Sequence, residues 1–326
     1  MRTCIFCNSD SSKLIYNLPV ENVQKGHYST DVFHIVRCSK CGLVYVDPMP
    51  TDEDLKKYYS ESEESLKFMQ ENFINTGRMQ KKGWTKTLKV IEYYSPNKGR
   101  ILDIGCGPGW FLDTARERTW DTYGVDMSSF FSKFAQEKLG LNVFCGRFEE
   151  ANFKENFFDV ITMFDFIEHV KKPLDLLRNV RHILKDDGLL VITTADIDSL
   201  CAKIYGINWR QIIPIGHIYY FSRKSMRNIL EKAGFKILKI TGVRYDETTR
   251  FRTFLAFVRE LLKFIVRRII QIMIYPFINL LIKKYPNLKD KEWKILGREM
   301  SYKNLRFKVG DQAVLGDVMK IYARKI

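Results

Sequence analysis

Two carboxylates and an imidazole fall within five residues of each other, at Asp165, Glu168 and His169. They follow a continuous apolar run from Phe158 to Phe164, which is typical of a strand buried on both faces of a parallel sheet. Ligands of doubly wound sheets bind at the carboxyl ends of such strands. Two kinds of chemistry are therefore open. The imidazole, oriented by a carboxylate, can take a proton from an acceptor, or the three side chains can hold a divalent cation.

A second motif lies upstream and predicts a nucleotide site. Residues 100–104 are expected to form a buried strand, residues 110 to about 118 a helix, and residues 122–125 another strand that ends at Asp126. Strand, glycine turn, helix, strand and acid make the first half of a nucleotide-binding βαβ unit. Asp126 stands where a carboxylate can accept both hydroxyls of a ribose. The glycines of the turn are Gly105, Gly107 and Gly109.

The spacing argues against a dinucleotide, because Trp110 occupies the position at which that fingerprint needs a small residue. The acid Asp103 favours a positively charged ligand. The run Leu102-Asp-Ile-Gly-Cys-Gly-Pro-Gly109 resembles the first motif of class I S-adenosylmethionine (SAM)-dependent methyltransferases. This resemblance implies SAM as cofactor and a doubly wound, Rossmann-like, seven-stranded sheet with an antiparallel last strand. Neighbouring residues complete the predicted cofactor site: Cys106, Met127, Phe164, and Phe148, which stacks near the adenine or belongs to the core.

Two Cys-x-x-Cys pairs, Cys4/Cys7 and Cys38/Cys41, predict a tetrahedral site for a structural Zn²⁺. Residues 1–50 would form this zinc ribbon. Thr51 and the acids after it predict the start of a helix in the polar segment 51–98, with breaks at Gly77 and Gly83. The arrangement resembles methyltransferases with an N-terminal zinc-binding module, several of which act on sugar nucleotides. That resemblance implies a cap over the substrate cleft for residues 51–98.

The pattern acid-x-x-Glu-His-Val resembles quinone-type O-methyltransferases and the sugar C-methyltransferases with the zinc module. The first resemblance implies a Mg²⁺ site at Asp165, Glu168 and His169, and the second implies a general base. His217, followed by two tyrosines, resembles a feature that lines the acceptor side in the same group. It is a second candidate base, or else a core histidine bonded to backbone.

The basic charge of the chain, +15 overall, is concentrated near its carboxyl end. Residues 250–308 carry 15 Lys and Arg against four acids. We predict an α/β domain over 99–248, a basic and apolar helical insertion over 249–312, and the last strand over 313–326. The charge-free run 269–282 is too short to span a membrane. The segment 250–285 suits contact with a membrane surface, a buried hairpin or a homo-oligomer interface, and nucleic acid is not favoured.

The 326 residues are 45% hydrophobic and 28% charged, which is ordinary for a globular protein. The seven cysteines and the absence of a secretory pattern in the first residues favour the cytoplasm, with peripheral membrane contact as an option. The sequence predicts a SAM-dependent methyltransferase acting on a sugar nucleotide or glycan, with His169 as general base. The alternatives are an O-methyltransferase of a quinone or lipid phenol, and a non-catalytic SAM-binding adaptor.

Overall fold

A computed structural model describes residues 3–19, 28–60, 62–243, 293–295, 298–300 and 317–326. The chain divides into two compact units. The first comprises Met1–Ile207, Gln211–Val243 and Asp317–Ile326, and it contains every residue of the predicted sites. In the second unit the structure describes Asn208–Arg210 and two three-residue strands that pair antiparallel. The predicted helical insertion over 249–312 lies almost wholly outside the described residues.

The elements follow one another in the order expected of an α/β chain with an N-terminal extension. The strands are β1 (Ser12–Pro19), β2 (Val32–Cys38), β3 (Val44–Asp47), β4 (Arg100–Ile104), β5 (Asp121–Asp126), β6 (Asn142–Cys145), β7 (Phe158–Phe164), β8 (Leu184–Ala195), β9 (Tyr219–Tyr220), β10 (Phe235–Val243), β11 (Trp293–Ile295), β12 (Arg298–Met300) and β13 (Val318–Lys325). The helices are α1 (Asp52–Tyr58), α2 (Glu63–Met69), α3 (Gly77–Tyr94), α4 (Trp110–Arg116), α5 (Ser129–Leu139), α6 (Pro173–Ile183), α7 (Leu200–Tyr205) and α8 (Arg223–Lys232).

Seven strands form the central sheet in the order β10-β13-β8-β7-β4-β5-β6. The pairs from β8 to β6 are parallel, whereas β13 is antiparallel to both of its neighbours, β8 and β10. The predicted seven-stranded Rossmann-like sheet with an antiparallel last strand is thus confirmed. The order reverses direction at β4, so the carboxyl ends of β4 and β7 flank the crevice in which doubly wound sheets bind ligands.

Helices cover both faces of the sheet, because successive side chains of its inner strands point to opposite sides. In β4, Ile101 packs into a core with helices α3, α4 and α5, whereas Leu102 packs into a second core with α6 and α8. Val160 and Ile161 of β7 divide in the same way, and both are fully buried. The continuous apolar pattern of this strand therefore has its cause in burial on both sides.

The first fifty residues contribute a smaller antiparallel sheet in the order β1-β2-β3-β9. Its fourth strand, β9, comes from the segment that follows His217 far along the chain. Tyr219 and Tyr220 pair with Tyr45 and Val44 of β3. The N-terminal module and the loop that carries His217 therefore share one hydrogen-bonded sheet.

Residues 51–98 contain α1, α2 and α3, with a single π-helical turn over Gln70–Ile74 between the last two. Helix α1 begins as predicted: the Thr51 hydroxyl accepts from Asp54 N–H, and the Asp54 carboxylate accepts from Thr51 N–H. The predicted break at Gly83 is wrong, because α3 continues through it. A glycine inside a helix costs about 1 kcal/mol, less than α3 gains by burying Leu88 and Ile91 completely.

Among the described helices, none combines the length and apolar character needed to cross a lipid bilayer. The segment 250–285, predicted to touch a membrane surface, lies outside the described residues. The predicted domain boundaries stay predictions.

Candidate active site

The glycine turn joins β4 to α4, and all three of its glycines have positive φ, between 53° and 84°. A Cβ on Gly109 would lie 2.5 Å from Leu141 Cδ1, whereas one on Gly107 would meet nothing within 4 Å. Close packing therefore requires glycine at 109, and open space adjoins the backbone at 107. Gly107 N–H donates to Asp126 Oδ2 (2.7 Å), and Ser128 N–H donates to Asp126 Oδ1 (2.9 Å). Two backbone donors thus fix the Asp126 carboxylate beside the turn.

Asp103 lies in β4, the neighbour of the strand β5 that ends at Asp126, and is only 3% exposed. Its carboxyl group accepts a hydrogen bond from Thr162 Oγ1 of the adjacent strand at 2.6 Å. Burial, and then the charge of Asp126, raises the pKa of Asp103 to about 8. A cationic ligand next to this acid would reverse that shift, in line with the predicted preference for a positively charged cofactor.

The remaining predicted cofactor residues are in different environments. Met127 is 66% exposed just after β5, whereas Cys106 is buried in the core that holds α4. Phe148 is buried in the other core, an arrangement that favours the core alternative for this ring. Phe164 packs edge-on against Phe111 with ring centroids 4.8 Å apart. Of these four side chains, only Met127 is freely open to a ligand.

Contacts from the cap segment to the nucleotide side were not foreseen from the sequence. The indole Nε1–H of Trp110 donates to the Phe73 carbonyl oxygen (3.0 Å), and the Phe73 ring stands 5.7 Å edge-on from Phe131 at the start of α5. Phe73 is largely exposed. The π-helical turn over Gln70–Ile74 therefore places an exposed aromatic ring beside the helix that follows Asp126.

His169 ends a short 3₁₀ turn, Ile167–His169, that follows β7. Its Nδ1 lies 2.9 Å from the Gly216 carbonyl oxygen and 2.9 Å from the Tyr59 hydroxyl. A carbonyl oxygen only accepts, so Nδ1 carries the proton and donates it, and the lone pair of the neutral ring is at Nε2. Burial lowers the pKa of His169, so this imidazole is neutral at physiological pH.

Tyr59 is the residue of this site that the sequence analysis missed. It follows α1, in the segment predicted only as a cap, and burial raises the pKa of its hydroxyl. The nearby Asp52 pairs with Lys171, two residues after His169. Asp52, one of the acids that predict the start of α1, thus also ties this helix to the segment that follows His169, but no sequence signal joins Tyr59 to His169.

Glu168 and His217 complete a compact group with His169. One ligand atom from each of the three side chains lies within 4.8 Å of the others. Burial raises the pKa of Glu168 to about 8, with a further contribution from the charge of Asp165. Burial and the neighbouring His169 lower the pKa of His217 to about 3. His217 Nδ1 donates to the Gln211 carbonyl oxygen at 2.9 Å, so its free lone pair is also at Nε2.

Asp165 does not join this group. Its φ is +50°, its side chain is exposed, and its Oδ1 accepts from Thr193 Oγ1 at 3.1 Å. The three converging atoms are therefore two nitrogens and one oxygen. Mg²⁺ prefers octahedral oxygen ligands, so this group does not fit the Mg²⁺ site implied by the quinone-type resemblance.

The four N-terminal cysteines meet in one cluster whose sulfurs all lie within 4.8 Å of one another. The Sγ atoms of Cys4 and Cys41 are 3.5 Å apart, as are those of Cys7 and Cys38. Sulfurs bound 2.3 Å from a tetrahedral zinc stand about 3.8 Å apart, so the cluster fits that ion. Burial opposes ionisation of Cys38, but backbone hydrogen bonds from Cys41 and Lys40 lower the pKa of its thiol to about 7.

Comparison with known proteins decides the family. A family model described as a methyltransferase domain matches residues 77–240, about half of the chain. The chain belongs to this methyltransferase family. With the glycine turn and Asp126 in place, it is an enzyme that uses SAM, as the sequence predicted.

Relatives of this methyltransferase match about half of its length. A ubiquinone biosynthesis O-methyltransferase of Coxiella burnetii is 31% identical over 171 residues, which cover 48% of this chain and 73% of that one. An uncharacterized protein of Methanocaldococcus jannaschii is 29% identical over 160 residues, covering 49% and 75%. A solved structure of phosphoethanolamine N-methyltransferase 2 of Haemonchus contortus with SAM is 20% identical, covers 96% and 68%, and has a TM-score of 0.50. This last likeness concerns the fold alone.

Proposed function

We propose that this methyltransferase transfers the methyl group of SAM to a hydroxyl oxygen of its acceptor, with His169 as the general base. The observation that carries the proposal is the hydrogen bond from His169 Nδ1 to the Gly216 carbonyl, which leaves the Nε2 lone pair available. Methyl transfer is an in-line displacement at carbon, so correct positioning supplies much of the rate. A hydroxyl acceptor must also lose its proton, and a positioned base contributes about 10²- to 10⁴-fold.

On this proposal SAM lies at the carboxyl end of β4, where it supplies a methyl group activated by a sulfonium. Asp126, fixed by the N–H groups of Gly107 and Ser128, accepts the ribose hydroxyls. Asp103, buried in β4 and close enough to Asp126 for that charge to raise its pKa, favours the positive charge of the cofactor. The four cysteines hold a structural Zn²⁺, which has no open position for chemistry.

For the acceptor, two classes remain, and different observations favour each. A phenol of the quinone type is favoured by the relative named as a ubiquinone biosynthesis O-methyltransferase. A sugar nucleotide or glycan is favoured by the four-cysteine module, whose sheet includes β9 next to His217. The relatives carry more weight, and we place the phenol first.

The test is a screen of the full-length protein with methyl-labelled SAM against phenols, lipid extracts and sugar nucleotides. We expect label in a phenol, and the His169→Asn variant should bind SAM normally while losing at least a hundredfold in turnover. Label in a sugar nucleotide would select the second class. Normal turnover by His169→Asn would contradict the base assignment and transfer it to His217.

Peripheral membrane contact through 250–285 is a separate proposal, based on the basic flanks of an apolar segment. Flotation with anionic liposomes tests it by comparing the whole chain with a variant in which Arg267 and Arg268 are replaced by Gln. Equal flotation of the two, or none of either, would contradict it.

A further inference from the structure

We propose that Tyr219 is a positioning residue, whose hydroxyl holds the turn that carries His169 and whose ring and backbone join this turn to the N-terminal module of residues 1–50. Tyr219 lies in β9 and is only 1% exposed. Its contacts belong to the described structure, and only the expected effect on turnover rests on the proposed function.

Three hydrogen bonds tie segment 216–219 to the turn after β7, residues 167–171. Each joins one residue of the segment to one residue of the turn: His169 Nδ1 to the Gly216 carbonyl (2.9 Å), Ile218 N–H to the Glu168 carbonyl (2.9 Å), and the Tyr219 hydroxyl to the Lys171 carbonyl (3.0 Å). In the last of these bonds the segment donates from a side chain. A single substitution can therefore remove this bond without altering the backbone.

The place of the Gly216 carbonyl decides the state of the His169 ring. This carbonyl accepts the Nδ1 proton, which leaves the lone pair at Nε2. The bonds from Ile218 and Tyr219 keep the adjoining part of the segment against the turn. If the segment moves away, Nδ1 loses its acceptor and the ring proton is shared between both nitrogens. Only one of the two tautomers can then act as a base at Nε2.

Lys171 is held from two sides, and the contact with Tyr219 is the stronger of the two. Its side chain pairs with Asp52 of α1, whose side chain is 95% exposed. An ion pair with such an exposed partner contributes little to stability. The Tyr219 hydroxyl belongs to a buried residue, and a polar group that loses its partner inside a protein is costly. The position of this turn therefore depends more on Tyr219 than on α1.

The ring and backbone of Tyr219 contact the N-terminal module. The backbone pairs with Tyr45 of β3. The ring stacks on Phe6, with centroids 6.4 Å apart and planes at 19° to each other. Phe6 lies between Cys4 and Cys7 in the sequence, and 9% of it is exposed. Tyr219 thus connects the first cysteine pair with the turn that carries His169.

The test is Tyr219→Phe in the full-length protein, which keeps the ring and removes one hydrogen bond. A neutral hydrogen bond corresponds to a factor of about 2 to 13, so methyl transfer to the acceptor identified by the screen should slow by up to that factor, with the KM for SAM unchanged. Hydrogen exchange at Ile218 N–H should become faster by a similar factor. Tyr123→Phe is the matched control, because it removes a hydroxyl bonded to Asp121 Oδ2 (3.2 Å) in β5. It should change neither quantity.

A double-mutant cycle shows whether Tyr219 acts through His169. Adding Tyr219→Phe to His169→Asn should lower the residual turnover no further. An equal loss in both backgrounds, or unchanged turnover and exchange in the single variant, would overturn the proposal. Normal turnover of His169→Asn would refute the proposed function instead. Exchange at Ile218 then decides the positioning role alone: a faster rate upholds it, and an unchanged rate overturns it.

Phe6→Leu tests the link to the N-terminal module. Loss of an aromatic pair corresponds to a factor of about 2 to 13 in turnover. Combined with Tyr219→Phe, it should cost less than the product of the two separate losses, because both changes act on one residue. Ile5→Ala is the matched control, since Ile5 lies between the same two cysteines and is 38% exposed. Equal losses from Ile5→Ala and Phe6→Leu would overturn the link, and SAM affinity verifies that each variant is folded.

Discussion

Replacing Asp126 by Asn tests the assigned cofactor site most directly. The carboxylate accepts from Gly107 N–H through one oxygen and from Ser128 N–H through the other. An amide of the same shape retains one acceptor oxygen and turns an NH₂ group toward the second donor. At least one charge-assisted hydrogen bond is lost, and the carboxylate offered to the ribose hydroxyls is lost with it.

The magnitude follows from these contacts. A hydrogen bond to a charged group contributes about 1.5–3 kcal/mol, and about 1.4 kcal/mol corresponds to a tenfold change in affinity. Losing one such bond to the ribose should therefore weaken SAM binding about 10- to 150-fold. The unliganded protein should lose a similar amount of stability, because residue 126 would keep an acceptor for only one of the two backbone donors, Gly107 N–H and Ser128 N–H.

Titration calorimetry with SAM and with S-adenosylhomocysteine measures the effect, and urea unfolding measures the change in stability. Asp121→Asn is the matched control: Asp121 begins the same strand, is exposed, and lies 3.7 Å from Arg100 at the surface. Its SAM affinity should be unchanged. An affinity of Asp126→Asn within twofold of the unaltered protein would refute the assignment of this acid to the ribose.

Three further perturbations test other parts of the molecule. Tyr59→Phe removes a neutral hydrogen bond to His169 and should lower turnover about 2- to 13-fold without changing SAM affinity, whereas an unchanged turnover would leave Tyr59 a packing role only. Cys38→Ser should remove one zinc ion per chain and expose the first fifty residues to limited proteolysis, and full zinc content would contradict the four-sulfur site. The raised pKa of Asp103 lies above its unfolded value of about 3.9, so its contribution to stability is complete below pH 4 and is lost as the pH rises toward 8. Urea unfolding at pH 5 and pH 8 should show this loss, at most about 4 kcal/mol, and Asp103→Asn should abolish it; parallel profiles of the two proteins would show that Asp103 is ionised in the fold.

The α/β domain could be predicted from the sequence because its signals are local. The glycine turn, its flanking strands and Asp126 occupy one continuous stretch, and the apolar run of β7 directly reflects burial on both faces of the sheet. The last strand of the domain, β13, could also be predicted from its own residues although a long insertion precedes it. Its pairing with β8 and β10 confirms that prediction. The number of strands and the antiparallel last strand came from family resemblance, and the strand order came only from the structure, since no local pattern specifies which strands are neighbours.

The membership of the group formed by Glu168, His169 and His217 could not be predicted in the same way. Proximity in sequence grouped Asp165 with Glu168 and His169, but a left-handed backbone at Asp165 directs this residue to Thr193 and solvent. His217 takes the third place because the loop before β9 is fastened to the turn after β7, where Ile218 N–H donates to the Glu168 carbonyl (2.9 Å). The spacing of residues along the sequence does not predict which distant segments come into contact.

The sequence also gave no sign that the N-terminal module contacts the segments that carry Glu168 and His217. Val46 N–H of β3 donates to the Ile218 carbonyl at 3.0 Å, and Ile218 N–H in turn reaches Glu168. The Phe6 ring, between Cys4 and Cys7, stacks 6.4 Å from Tyr219 of β9. The four-cysteine cluster thus adjoins the small sheet to which the segment after His217 is hydrogen-bonded, and this sheet in turn contacts the backbone of Glu168.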